Sequence, residues 1–158
     1  MNEDIYQIHR LLYLYCERLD QGDFTGMAEL FRHARFITPG NMAPIVNDPD
    51  AIVAAYREYT RIYPQTRTPG TKHIVANPII DIAPDGTSAD CRSYIVVFQG
   101  IGDFPLQPVV AGRNLDRFAK VDGQWRFSER DIRSEHFGDL SSHMLREFGP
   151  DTVGDPAS

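Results

Sequence analysis

Apolar positions recur every three or four residues at the start of the chain: Ile5, Ile8, Leu12, Tyr15, Cys16 and Leu19. That spacing makes one stripe of a helix over about Glu3 to Gln21, ended by Gly22. Asp23 is placed to cap a shorter second helix carrying Phe24, Met27, Leu30 and Phe31. A short strand, Ala34 to Thr38, closes at Pro39-Gly40, and 41–46 reads as loop. Asn47-Asp48-Pro49-Asp50 combines a capping side chain, a first-turn proline and an acid near the positive end of the helix dipole. It predicts a third helix with Ile52, Val53, Tyr56, Tyr59 and Tyr63, stopping before Pro64.

After Gly70 the period changes to two. Lys72 to Ala83 is a strand, and Pro84-Asp85-Gly86 turns it into a second, Ser88 to about Gly100. Residues 102–105 make a looser connection to a third strand, Gln107 to Val121. Asp122-Gly123 is a tight hairpin signal before a fourth, Gln124 to about Phe137. A short amphipathic tail is expected from Asp139 through Met144, Leu145 and Phe148, then a frayed end over 149–158. Helices first and hairpin-linked strands afterwards predict one α+β domain over 1–148, with the helices on one face of a curved, mainly antiparallel sheet. Its concave side would enclose a small-molecule pocket.

Composition narrows the classes. The chain has 158 residues, a 42% hydrophobic and 24% charged make-up, and a net charge of −6. An acidic chain with no dense basic run is a poor match for nucleic acid. No apolar stretch is long enough to span a bilayer, and the acidic N-terminus lacks the order of a signal peptide, so a cytoplasmic location is expected. Cys16 and Cys91 fall inside a helical and a strand pattern and read as buried thiols.

Three residues stand out chemically. Asp20 continues the Ile8, Leu12, Cys16 ridge, so it should point inward from the last helical turn. A carboxylate there faces the negative end of the dipole, a local cost of about 0.3–1 kcal/mol. It either caps the helix junction or serves a site. His73 opens the first long strand and by simple alternation shares a face with Val75, Asn77 and Ile79. It is either a satisfied structural histidine or a base that takes a proton near neutral pH, worth ~10²–10⁴-fold in rate. Arg130 should share a face with Ser128 and Ile132. It either stabilises negative charge on a substrate or pairs with Glu129, Asp131 or Asp116. Arg113 is a similar case. His9, His33, His136 and His143 form no metal motif, and no nucleotide-binding or nucleophile signature is legible, so neither metal nor cofactor is expected.

Taken together, these residues resemble the SnoaL-like branch of the nuclear-transport-factor-2-like superfamily, over nearly the whole chain from Ile5 to about His143. The marks are Tyr15-Cys-Glu-Arg-Leu-Asp20-Gln-Gly-Asp23, Met27-Ala-Glu-Leu-Phe31, Thr71-Lys-His73-Ile-Val-Ala-Asn77, Gly112-Arg113 with Asp116, Asp122-Gly-Gln-Trp125-Arg-Phe127 and Gly138-Asp-Leu-Ser141. The resemblance implies a cone-shaped roll and a homodimer or homotrimer. The superfamily includes scytalone dehydratase, hexachlorocyclohexane dehydrochlorinase, ketosteroid isomerase, polyketide cyclases and non-catalytic members. Asp20 and His73 match the placement of the Asp–His dyad of the dehydratase and dehydrochlorinase, and Arg130 that of a pocket arginine. The implied activity is a cofactor-independent lyase, dehydratase-like, or an isomerase, acting on a small hydrophobic or aromatic molecule. His73 and Asp20 would be catalytic, and Arg130 and Tyr15 would bind substrate. The other class is a non-catalytic ligand-binding or assembly domain, like a ring-hydroxylating dioxygenase β subunit. Two departures accompany the resemblance. Leu19 stands where the dehydratase has a tyrosine before its aspartate, and no second pocket histidine is legible.

Overall fold

Asn2 accepts a hydrogen bond from Asp4 N and starts α1 (Glu3–Asp20), in a computed structural model that describes residues 2–40 and 42–146. Ile8, Leu12, Tyr15, Cys16 and Leu19 form its buried stripe, and Ile5 is half-buried. Gly22, at φ +75°, turns the chain out of the helix, and a side chain there would meet the Arg67 carbonyl at 2.4 Å. Asp23 then caps α2 (Phe24–Glu29) through Gly26 N, and Asp48 caps α3 (Pro49–Tyr59) through Ala51 N. These are the side chain–amide bonds that satisfy the first free donors of a helix. The third helix stops at Tyr59 rather than Tyr63. Tyr63 instead pairs with Thr68 across a turn of its own.

The sheet has six strands: β1 (Arg35–Ile37), β2 (Ile45–Val46), β3 (Thr71–Ile82), β4 (Ser88–Ile101), β5 (Phe104–Val121) and β6 (Gln124–Phe137), in the order β2-β1-β6-β5-β4-β3. It is mixed and open. β3 to β6 run antiparallel through hairpins, whereas β1 lies parallel to β6, with Phe36 beside Arg130. The stretch expected as loop over 41–46 carries β2, which pairs with β1. The connection after β4 is a tight turn, with Ile101 facing Phe104. The tail from Asp139 is a turn and not a helix. The His143 and Met144 amides both return to Leu140 O, and beyond that turn the backbone bonds sideways, Arg61 N to His143 O and Leu145 N to Tyr59 O. Phe148 and the 149–158 tail lie outside the described residues.

Of the sheet's register irregularities, two reset the alternation around the candidate residues. In β3, Ala76 faces Tyr94 and Ile79 faces Arg92, so Asn77 and Pro78 together oppose Ser93. Asn77 adopts φ +42°. The extra residue flips the face. Asn77 and Ile79 therefore point outward, and Ile80 and Ile82 pack on the core, which corrects the lining expected for His73. In β6, Ser128 is the extra residue, so Phe127 and Arg130 both turn inward.

Between helices and sheet lies an aromatic centre. Phe31 contacts Phe36 and Phe127 at 4.7 Å between ring centroids, and Phe127 contacts Phe118 at 4.6 Å. Truncating one such ring to alanine typically costs about 3–5 kcal/mol, so this cluster, more than any surface ion pair, holds the layers together. α1 is tied to the sheet at both ends. Asp4 accepts from Trp125 Nε1 and Lys120 Nζ at 2.8 and 2.7 Å, and Asp20 is held by β3. The outer sheet face stays open, with Tyr94, Ile74 and Ile79 exposed. No helix among the described residues is long and apolar enough to cross a membrane.

Candidate functional site

Asp20 is the last residue of α1, and the start of β3 lies against it. Three donors converge on its carboxylate: Thr71 Oγ1 at 2.8 Å, His73 N at 2.9 Å and His73 Nδ1 at 2.6 Å. Burial pushes the carboxyl up, but the bonds from His73 and Thr71 outweigh it and hold it below the ordinary carboxylate range. At neutral pH Asp20 is therefore an anion and can only accept. The proton of that shortest bond must sit on His73 Nδ1. A neutral His73 then carries its lone pair on Nε2, facing away from Asp20. The side chains of His73 and Asp20 keep 12% and 10% of their surface exposed, so the ring is not sealed from a small molecule.

Tyr15 connects this pair to a second one. Its ring meets His73 edge-on, with centroids 6.5 Å apart, and its face carries the Arg130 guanidinium at 4.1 Å. Its hydroxyl shares a 2.9 Å bond with Tyr56. Burial raises both phenols, so both stay protonated. Arg130 binds Asp116 through Nε and Nη2 at 2.7 and 2.8 Å, the partner chosen from the three acids its sequence context offered. Its Nη1 is buried and has no hydrogen-bond partner. Arg113 lies outside the site, paired with Glu135 at 2.6 Å. Burial lifts Cys16 and Cys91 to about 12, which keeps both as neutral free thiols.

A family model described as SnoaL-like domain matches residues 2–131. The chain belongs to the SnoaL-like family. No curated protein matches it. Among solved structures, this SnoaL-like chain is similar to a Novosphingobium aromaticivorans protein whose designation as a scytalone dehydratase is provisional. That match has TM-score 0.68 and 22% identity, and covers 96% of this chain and 93% of the other. ActVI-ORFA from Streptomyces coelicolor matches with TM-score 0.67 and 17% identity, over 84% and 97% of the two chains. A second Novosphingobium aromaticivorans protein, NTF2-like with a cystatin-like fold, matches with TM-score 0.66 and 21% identity, over 82% and 80%. Likeness at such identities is likeness of fold, and the SnoaL-like chain shares its fold with these proteins.

Two polar residues beside the dyad escaped sequence reasoning. Gln99 on β4 is fully buried and stands opposite Thr71 in the sheet register. The signal was present, since Gln99 ends the inward series Cys91, Ser93, Ile95, Val97. His143 is half-buried in the segment after β6, and burial together with the nearby His73 lowers it to about 4. Only the tertiary course of that segment brings it close. Two hollows of about 460 and 430 Å³ lie elsewhere, one over the β3–β4 hairpin around Asp81 and Arg117, the other on the outer face of α1 around Tyr6 and Tyr13. Neither touches His73. The convergence of hydrogen bonds, rather than hollow size, marks the chemical centre. Among the described residues, no three His, Cys, Asp or Glu side chains gather as metal ligands.

Proposed function

We propose that this SnoaL-like protein is a cofactor-independent lyase of the dehydratase type, acting on a small hydrophobic or aromatic molecule. The observation that carries the reading is the Asp20–His73 pair, whose geometry leaves Nε2 of a partly accessible imidazole as a free base. Imidazole is a weak base, so the C–H it attacks must be acidified by an adjacent carbonyl or aromatic system. His73 Nε2 takes that proton, and the C–H electron pair becomes the new C=C bond. The C–O bond to a hydroxyl breaks, and the departing oxygen collects the proton from the imidazolium and leaves as water. Asp20 fixes the tautomer and stabilises the imidazolium, as an orienting carboxylate does for a histidine base elsewhere. Arg130, through its unpartnered Nη1, and Tyr15 face the negative charge that develops on the activating oxygen. Returning the proton to another carbon instead would make the same site an isomerase. Self-association as a dimer or trimer through the exposed sheet face belongs to the same proposal.

The test is His73→Ala assayed for water elimination on aryl β-hydroxy ketones, followed by the absorbance of the conjugated product. A fall of ~10²–10⁴-fold with unchanged circular dichroism supports the reading. Turnover equal to that of the wild type overturns it and leaves a binding or assembly domain.

A further inference from the structure

The solvent side of α1 carries a line of its own. Tyr6, Arg10, Tyr13 and Glu17 follow one another at helical spacing, and all four are exposed. Tyr6 keeps 49% of its surface and Tyr13 51%. With His9 and Leu14 they line the shallow hollow of about 430 Å³ on the outside of the helix. The His9 ring stacks on Tyr13 with centroids 5.7 Å apart, so the two rings present one aromatic surface.

The charges on this line are also set apart. Every other charged side chain of α1 is bonded: Glu3 to Gln7, Asp4 to Lys120, Arg18 to the Gly26 carbonyl and Asp20 to His73. Among the described residues, Arg10 and Glu17 have no such partner. Glu17 stands in the last turn of the helix, where a carboxylate faces the negative end of the dipole.

Half-exposed tyrosines between unpaired charges of both signs fit a surface that offers the same chemistry in reverse order. A second copy of α1, laid antiparallel, is such a surface. The helix Glu3–Asp20 is centred between residues 11 and 12. A two-fold axis at that level overlaps the two helices over their full length of ~27 Å. It sets Tyr6 against the partner's Glu17, and Arg10 against the partner's Tyr13. A phenol hydroxyl then donates to a carboxylate, and a guanidinium stacks on a ring. Glu17, opposed by its own dipole, comes beside the positive end of the other helix. Two-fold symmetry makes every contact twice. A parallel pair would instead set each Arg10 and each Glu17 beside its own kind, so the charges choose the direction.

We propose that the outer face of α1 is an interface through which two copies of this chain pair antiparallel, with Tyr6, Arg10, Tyr13 and Glu17 as its central contacts. This is a different face from the exposed sheet, and the proposal is independent of the lyase reading. One helix face is a small contact, under the ~1,200 Å² of a standard interface, so the pairing depends on concentration.

The test is sedimentation of the full chain from low to several hundred micromolar, with circular dichroism to check the fold of each variant. The mass is expected to double as concentration rises. Arg10→Glu should weaken that step about tenfold or more, since each stacking contact is lost twice. Arg10→Glu combined with Glu17→Arg exchanges the charges, keeps the antiparallel match and should restore most of the association. Tyr94→Glu, on the open sheet face, should leave the step in place. A wild type of constant mass, an Arg10→Glu protein that associates like the wild type, or a double variant as weak as the single overturns the proposal. Loss of the step in Tyr94→Glu alone assigns it to the sheet and overturns it equally.

Discussion

Asp116 and Arg130 have fully buried side chains, joined by two parallel bonds of 2.7 and 2.8 Å. Asp20 and His73, across the Tyr15 ring, keep about a tenth of their side chains exposed and are joined by one side-chain bond of 2.6 Å and one from the His73 backbone amide at 2.9 Å. The first pair is sealed from solvent, with Arg130 Nη1 left without a hydrogen-bond partner. Its guanidinium is stacked on Tyr15, Phe127 and Phe31, and although burial opposes the charge, Asp116 holds it firmly protonated. The second pair is left half-open, with an anion that has three donors and a ring with one nitrogen still free. Both are acid–base pairs on the inner side of one sheet. Only the second can exchange a proton with a visitor, and the difference comes from where each sits. Asp116 and Arg130 lie mid-strand on β5 and β6, under the helices. Asp20 and His73 lie at the end of α1 and the start of β3, where the layers open.

The contrast can be broken most forcefully from the sealed side. Asp116→Ala leaves a charged arginine buried with no anion, and should cost about 3–5 kcal/mol in urea denaturation. Replacing both partners, Asp116→Leu with Arg130→Met, should recover most of that stability, since an apolar pair of similar volume often substitutes for a buried ion pair. A double variant as weak as the single would mean that the pair acts through more than its charge.

On the open side the effects on stability should be smaller and those on turnover larger. Thr71→Val removes one of three bonds to the Asp20 carboxylate. The expected loss is about 1.5 kcal/mol of stability, with a several-fold fall in turnover as His73 loses part of its orientation. Loss of stability with undiminished turnover would make the cluster a helix tie, like Asp4 at the other end of α1.

The smallest effect is a slope with pH. His143 falls from its ordinary 6.5 to about 4 in the folded protein, because burial and His73 disfavour its charge. Between those values the unfolded chain binds the extra proton, so stability should drop as pH falls from about 6.5 toward 4. Asp20 acts in the same direction at lower pH. Its lowered carboxyl contributes stability above the ordinary carboxylate range, lost as pH falls through the folded value. Melting temperature against pH should therefore be flatter between 4 and 6.5 in His143→Phe, with the more acidic limb unchanged.

Each member of the Asp20–His73 pair was legible from local evidence, whereas reading them as a pair rested on the resemblance to the SnoaL-like branch. Asp20 sits on the ridge of its own helix, and His73 follows a Pro/Gly turn at a change of period. The arginine's partner was narrowed to three acids, and Asp116 won because the bulge at Ser128 turns Arg130 into the same layer. The bulges themselves were not legible. Simple alternation puts Asn77 on the face of His73, and only pairing with Ser93 shows Asn77 and Pro78 doing the work of one residue. β2 and the parallel contact of β1 with β6 depend on partners far along the chain. His143 was invisible for the same reason, since nothing within its own segment says that Arg61 and Gln99 will hold it over the sheet.

The central claim is that the Asp20–His73 pair serves chemistry and not only the tie between α1 and β3. Asp20→Asn measures it most directly, with turnover and unfolding free energy taken on the same preparation. The amide keeps the size of the side chain and can still accept from His73 N, but it no longer dictates which ring nitrogen holds the proton. The account predicts a folded protein that loses less than about 2 kcal/mol of stability and roughly 10³–10⁴-fold of its elimination rate. A variant that melts far below the wild type yet eliminates water at the wild-type rate would contradict it.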